Sequence, residues 1–211
     1  MHTRGSQLLR VHRFLAETEV EGPGRRAALW VQGCPIRCPG CANGATWTFD
    51  GGYQTTVESL FDQIHAQRGI EGVTFIGGEP FSHAGALAAL GRLCREHALS
   101  VVTFTGYEYA RLIAARRPDW NALLEVTDLL LAGPFVAAQK DFSRPWVGSR
   151  NQEFVFLTDR YRHLQAKGVA LKNGLEILIA PSGSIRLNGL APVEDISAMR
   201  RELASLGLNT N

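Results

Sequence analysis

Three cysteines fall within eight residues, Cys34-Pro35-Ile36-Arg37-Cys38-Pro39-Gly40-Cys41, in the spacing C-x3-C-x2-C. They follow the apolar run Ala27-Ala28-Leu29-Trp30-Val31-Gln32, which places them on a loop just past a buried strand. Thiolates this close can hold three irons of a cubane and leave the fourth iron open. Iron–sulfur clusters normally take four cysteines. A missing fourth ligand therefore points to an iron kept for a substrate or cofactor, as an open catalytic metal site differs from a closed structural one.

Two other uses of the thiols stand against this. A structural zinc site closes four ligands with paired C-x2-C knuckles or nearby histidines. Here the only other cysteine is Cys94, and no histidine lies between His12 and His65. Three cysteines in eight residues cannot all pair as disulfides, and no secretory segment precedes them. Cys94 shares a helical face with Leu87, Leu90 and His97 and reads as a core thiol; a remote fourth ligand is the alternative.

The chain has 211 residues, 45% of them hydrophobic, enough for one domain with a real core. The expected core covers about 9–157, with a hairpin and helix over about 174–207. Charged residues make up 20% and the formal net charge is +2, which argues against a nucleic-acid partner and against an acidic tail. Apolar stretches fall short of the roughly 20 residues a membrane span needs. Met1-His2-Thr3-Arg4-Gly5-Ser6 leads into no signal-peptide core. A cytoplasmic protein is expected, in a reducing compartment that suits cluster thiolates.

Strands alternate with helices along the chain. Leu9 to Leu15 alternates apolar and basic positions and suits an edge strand. Gly22-Pro23-Gly24-Arg25-Arg26 is a turn. Thr55 to Glu58 has capping-box spacing and opens a helix with Leu60, Phe61 and Ile64 on its inner face. Strand Gly72–Ile76 and a helix from about Ser82 to His97 follow. Strand Ser100–Phe104, a helix near Tyr107–Ala115 and strand Asp128–Ala132 continue a βα pattern, that of a parallel sheet or barrel. Functional groups then gather where the strands end. Leu175–Ala180 and Ser184–Leu187 flank Pro181-Ser182-Gly183 as a hairpin. Val193–Leu206 reads as an amphipathic helix, with Ile196, Met199, Leu203 and Leu206 on one face.

Gly77-Gly78-Glu79-Pro80 lies between a strand and a helix. Two glycines let backbone approach a ligand closely, Glu79 can accept from an amino group, and Pro80 starts the helix. A plain tight turn is the alternative for such a motif on its own. Together with the cysteine loop, it resembles the radical S-adenosylmethionine superfamily. The resemblance implies a partial (β/α)6 barrel with a C-terminal hairpin and helix added. It implies a [4Fe-4S] cluster on Cys34, Cys38 and Cys41, whose open iron is chelated by S-adenosylmethionine. The reduced cluster then cleaves the sulfonium to give a 5′-deoxyadenosyl radical.

A narrower match spans about residues 22–152. Gly22-Pro23-Gly24-Arg25-Arg26, Gly33-Cys34, Cys38-Pro39-Gly40-Cys41, Asn43, Thr46-Trp47, Gly77-Gly78-Glu79-Pro80, Thr105-Gly106-Tyr107, Gly133-Pro134-Phe135, Lys140-Asp141 and Asn151-Gln152 appear in the order found in anaerobic ribonucleoside-triphosphate reductase activating proteins. Ala132 stands where that family often has an acidic residue, and the chain runs on past its usual ending.

By the resemblance, Gly40, Cys41 and Ala42 lend contacts to the cofactor beside the cluster. Gly77, Gly78, Glu79 and Pro80 form the turn that meets the methionine amine. Thr105 contacts a ribose or carboxylate, or its hydroxyl merely caps the following helix. Tyr107 packs on the adenine or serves as a rim aromatic. Arg25, Arg26, Lys140 and Arg150 are solvated charge, or as a group neutralise a carboxylate or phosphate. Trp47, Trp120 and Trp146 read as packing residues, and His12 and His163 have no visible role. No catalytic residue is assigned beyond the cluster.

The implied activity is activation of a glycyl radical enzyme, with an electron from a flavodoxin-like or ferredoxin-like donor. Radical modification of a peptide or small metabolite is an alternative. A single-cluster electron carrier or redox sensor is another.

Overall fold

The strand that leads into the cysteines, β2 (Arg26–Val31), is buried at every position. A strand buried on both faces belongs at the centre of a parallel sheet. In the computed structural model, which describes residues 7–166, 173–179, 184–205, 207 and 209–210, that is where β2 lies.

The chain runs β1 (Leu8–Thr18), β2, β3 (Tyr53–Thr56), α1 (Val57–His65), β4 (Gly72–Gly77), α2 (Ala84–Glu96), β5 (Ser100–Thr105), α3 (Tyr109–Ala114), α4 (Pro118–Val126), β6 (Leu129–Ala132) and β7 (Glu153–Phe156). The seven strands form one sheet in the order β3-β1-β2-β4-β5-β6-β7. β2, β4, β5 and β6 run parallel. β1 and β3 are antiparallel additions at one side and β7 at the other. The fold is thus mixed α/β with a parallel centre. The parallel run has four strands, where the resemblance implies a partial (β/α)6 barrel.

β1 is not the edge strand its alternation suggested, because the short β3 pairs outside it, Leu9 opposite Thr55. Thr55 is therefore a strand residue. The cap of α1 falls to Thr56, whose hydroxyl accepts from the Ser59 N–H at 3.1 Å.

The main core lies between the sheet and α1, α2 and α4, and includes Leu29, Val31, Phe75, Leu87, Leu90, Leu123 and Cys94. A smaller cluster of Val102, Leu129, Leu131, Val147 and Tyr161 fills part of the opposite face.

After α5 (Arg162–Ala166), β8 (Leu175–Ile179) pairs antiparallel with β9 (Ser184–Gly189); α6 (Val193–Ser205) and β10 (Asn209–Thr210) follow. The expected hairpin turn at Pro181-Ser182-Gly183, with Ala180 and Leu206, lies outside the described residues. The pair is tied to β1: the Thr18 hydroxyl donates to Glu176 at 2.5 Å and accepts from Asn188 Nδ2 at 3.1 Å, and Arg13 donates to Asn188 Oδ1 at 2.8 Å. Among the described residues no helix is long and apolar enough to cross a membrane.

Candidate functional site

Parallel strands all end at one edge of a sheet, so the loops that follow them meet there. The loop after β2 carries the thiols and the loop after β4 is Gly77-Gly78-Glu79-Pro80. They are joined by backbone: Gly78 N–H donates to Val31 C=O at 2.8 Å, and Glu79 N–H to Gly33 C=O at 2.9 Å. Such closeness needs glycine. Gly77 has φ +102°, and a Cβ there would stand 2.7 Å from the Trp30 Cα. A Cβ on Gly78 would stand 2.3 Å from the Gly33 carbonyl oxygen.

Backbone N–H groups lie around the thiols. Those of Arg37 and Ile36 favour the charged form of Cys34, and that of Phe135 the charged form of Cys38. Cys41 Sγ accepts from Asn43 N–H at 3.4 Å. Burial pushes the Cys34 and Cys38 thiols above their ordinary value, and these donors pull against it. All three cysteines are half-buried. Among the described residues no three His, Cys, Asp or Glu side chains converge to clasp a single ion. The donor set fits a cubane with one open corner: three half-buried thiols on one loop, among backbone N–H groups of the kind that tune cluster sulfurs.

Glu79 is fully buried, at 0% exposure. Its Oε1 accepts from Phe81 N–H and the Thr105 hydroxyl, both at 2.9 Å, and its Oε2 from Gly106 N–H at 2.9 Å. Burial raises its pKa to about 7 against the pull of these three donors. The carboxylate expected to receive a cofactor amine is largely taken up by the chain's own donors, so the surface left to a ligand at this turn is chiefly the Gly77-Gly78 backbone. Pro80 is buried and opens a short 3₁₀ turn, Pro80–His83.

Thr105 also accepts from Tyr107 N–H at 3.1 Å. This is a local hydroxyl turn and not the expected helix cap, because the cap position of α3 is Glu108. Tyr107 packs on Trp120, ring centroids 5.0 Å apart, with the Arg111 guanidinium over its ring at 4.9 Å. Its phenol is raised by burial, with Glu79 and Cys34 adding to the shift.

The loops after β5 and β6 complete the rim. Gly133 N–H reaches the carbonyls of Thr105 and Tyr107 at 3.1 and 3.0 Å. Gly40, at φ +79°, faces the Phe135 ring, which a Cβ would approach to 3.3 Å. Gly106 lies under Ile36, whose Cδ1 a Cβ would meet at 2.7 Å. Ile36 carries no signal in the sequence, and Phe135 stands there only as part of the Gly133-Pro134-Phe135 segment, since apolar side chains in loops have no spacing pattern. Gly40 and Ala42 are exposed.

The proposed basic group is divided. Arg26 is buried at the far, amino-terminal end of β2. Arg25 pairs there with Glu17 at 3.1 Å. Lys140 and Arg150 are exposed in the loops after β6. These four cations form no single anion site. Cys94 is buried in the core, where burial raises its thiol to about 12. Trp47 gives its carbonyl to the Cys34 N–H at 3.2 Å. Trp120 and Trp146 pack against aromatic neighbours, and His163 lies beside Tyr161.

Residues 20–155 match the family described as a 4Fe-4S single cluster domain. The anaerobic ribonucleoside-triphosphate reductase-activating protein of Salmonella typhimurium is 33% identical over 156 residues, covering 68% of this chain and 96% of that protein. The pyruvate formate-lyase-activating enzyme of Clostridium pasteurianum is 32% identical over 128 residues, 58% of this chain and 50% of that one. Among solved structures, QueE from Escherichia coli overlays with a TM-score of 0.41 at 21% identity, over 47% of this chain and 53% of that one. With three thiols on a loop that backbone hydrogen bonds join to the glycine turn, the chain belongs to the family of anaerobic ribonucleoside-triphosphate reductase-activating proteins, radical S-adenosylmethionine activases whose cofactors are a [4Fe-4S] cluster and S-adenosylmethionine.

Proposed function

We propose that this protein activates a glycyl radical enzyme, an anaerobic ribonucleotide reductase foremost, by removing a hydrogen atom from a glycine of that partner. The observation that carries most weight is the backbone join between the cysteine loop and the glycine turn, Gly78 to Val31 and Glu79 to Gly33. It keeps a metal-binding loop and a ligand-binding turn within one small frame.

When bound, the cluster supplies an electron and S-adenosylmethionine the hydrogen-abstracting group; the protein's part is binding, orientation and exclusion of stray donors. Cys34, Cys38 and Cys41 hold the irons. The half-buried Gly77-Gly78 backbone, with no side chain in the way, meets the methionine end, beside Gly40, Cys41 and Ala42. Glu79 braces the turn against Thr105 and Gly106. Ile36, Phe135 and Tyr107 wall the rim from water. The electron comes from a flavodoxin-like or ferredoxin-like donor. We further read the sheet as a shortened partial (β/α)6 barrel, and the chain as one domain whose hairpin strands are tied to β1.

The hairpin also favours a second reading, since it lies beyond the matched residues 20–155 and hydrogen-bonds to β1. In that reading the same chemistry acts on a peptide or small metabolite. Anaerobic turnover with reductant, S-adenosylmethionine and a candidate reductase separates them. A glycyl radical signal on the partner, with methionine and 5′-deoxyadenosine released, is expected. Cofactor cleavage without that signal in any partner would sink activation, and a reconstituted cluster with no cleavage at all would sink both readings.

A further inference from the structure

Between β2 and the first thiol stands Gln32, only 1% exposed. Its Nε2 donates to the carbonyls of Thr48 at 2.7 Å and Ala45 at 3.2 Å, both beyond the last cysteine. Its Oε1 lies 2.9 Å from His12 Nδ1. With the amide nitrogen committed to two carbonyls, the oxygen faces His12, which must donate. Gln32 thus closes, from inside, the loop that bears all three thiols.

The same residue reaches the other half of the site. Its backbone carbonyl lies 2.7 Å from His83 Nε2. A carbonyl only accepts, so Nε2 carries the proton. His83 ends the 3₁₀ turn that begins at Pro80. The glycine turn is consequently held at both ends: by the backbone join at Gly78 and Glu79, and by the imidazole at His83.

We propose that His83 is a positioning residue for S-adenosylmethionine. Its bond to Gln32 fixes the Gly77–Pro80 turn relative to the cysteine loop, so that the iron-facing and backbone-facing halves of the cofactor site stay in register. The inference rests on the radical reading above. A ligand that must touch both halves at once gains affinity when they are preorganised and loses it when one drifts. The thiols themselves do not depend on His83, so the cluster should load without it.

The test uses the full chain, anaerobically reconstituted and reduced, titrated with S-adenosylmethionine while the electron paramagnetic resonance of the cluster is followed. Iron content and thermal melting are measured in parallel. His83→Phe should keep wild-type iron and the cofactor-free spectrum, with the midpoint of the cofactor-induced spectral change raised about tenfold. His83→Gln, whose amide N–H can reach the same carbonyl, should recover most of the loss. A wild-type midpoint in His83→Phe, or no recovery in His83→Gln, overturns the proposal. Should His83→Phe fail to load iron, His83→Asn decides: its shorter amide cannot reach the carbonyl, so a raised midpoint supports the role and a wild-type midpoint overturns it. Absence of any spectral change in the wild-type chain would overturn the radical function itself.

Discussion

The two ends of β2 both hold buried charge, yet only one is a site. At the amino end Arg26 is 0% exposed. Its Nε donates to Thr74 at 2.7 Å, Nη1 to the Pro23 carbonyl and to the Tyr161 hydroxyl at 3.3 Å, and Nη2 to the Val73 carbonyl and Ser100 Oγ, both at 3.2 Å. A guanidinium has five N–H donors, and here each has an acceptor. At the carboxyl end Glu79 is also buried and also held by its own chain. The difference lies in what surrounds each charge. Around Arg26 every polar group is turned inward on another. Around Glu79 stand half-buried thiols and a glycine backbone free of side chains. A buried charge, then, marks a strut; the groups its bracing leaves open mark the site.

The sharpest way to break this contrast is to remove one group from each end. Cys34→Ala should abolish the cluster: iron falls from about four per chain to background, and cofactor cleavage goes with it. The melting temperature of the iron-free chain should hardly move, because the thiol faces a rim and not the core. Arg26→Leu should do the reverse. Losing the guanidinium strands several buried acceptors, at a cost of about 3–5 kcal/mol in unfolding free energy. The fraction that still folds should load iron normally. Loss of iron per folded chain in Arg26→Leu would show the two ends to be coupled.

How much of this contrast the sequence disclosed depends on the range of the interactions. The thiol triplet and Gly77-Gly78-Glu79-Pro80 could be read because the chemistry demands given residue types at short spacing. The parallel centre could be read from buried runs such as Ala27–Val31. Arg25 and Arg26 could not be told apart, because they are neighbours in sequence; strand geometry sends one to Glu17 at the surface and the other inside. β3 passed for a helix cap because four residues rich in threonine suit either. α4 carried a proline at its first position, Pro118, a start signal that was available. Contacts such as Phe135 to Gly40, or His83 to Gln32, depend on the stagger between strands. Nothing local in the sequence encodes that stagger.

A smaller effect is expected at the carboxyl end from Glu79→Gln. Whichever way the amide turns, its NH2 faces at least one backbone N–H, from Phe81 or Gly106, that the carboxylate now accepts. The conflict should cost about 1–3 kcal/mol, seen as a lower melting temperature. It should also loosen the glycine turn, raising the cofactor midpoint in the same resonance titration. If stability falls while the midpoint holds, Glu79 is a strut for the fold and not for the site.

The mildest test returns to the amino end, where Glu21 gives its backbone carbonyl to the Thr74 hydroxyl at 2.6 Å, next to Arg26. Burial raises its carboxyl to about 8; Arg13 pulls it down and Glu176 pushes it up. The folded pKa is above the ordinary 4.5, so the folded chain binds more protons than the unfolded one between these values. Stability from this group is complete below about pH 4.5 and is lost as pH rises through about 8. Glu21→Gln removes the proton release and keeps the shape. It should match the wild-type melting temperature at pH 4.5 and exceed it at pH 8, where only the wild type must either ionise a buried carboxyl or hold its proton. Unfolding curves at the two pH values measure the difference directly. Arg13 and Glu176 bond Asn188 and Thr18, which join β1 to the hairpin. A flat response in Glu21→Gln would therefore mean that solvent reaches Glu21 past the hairpin, and that the amino end is not as closed as Arg26 makes it.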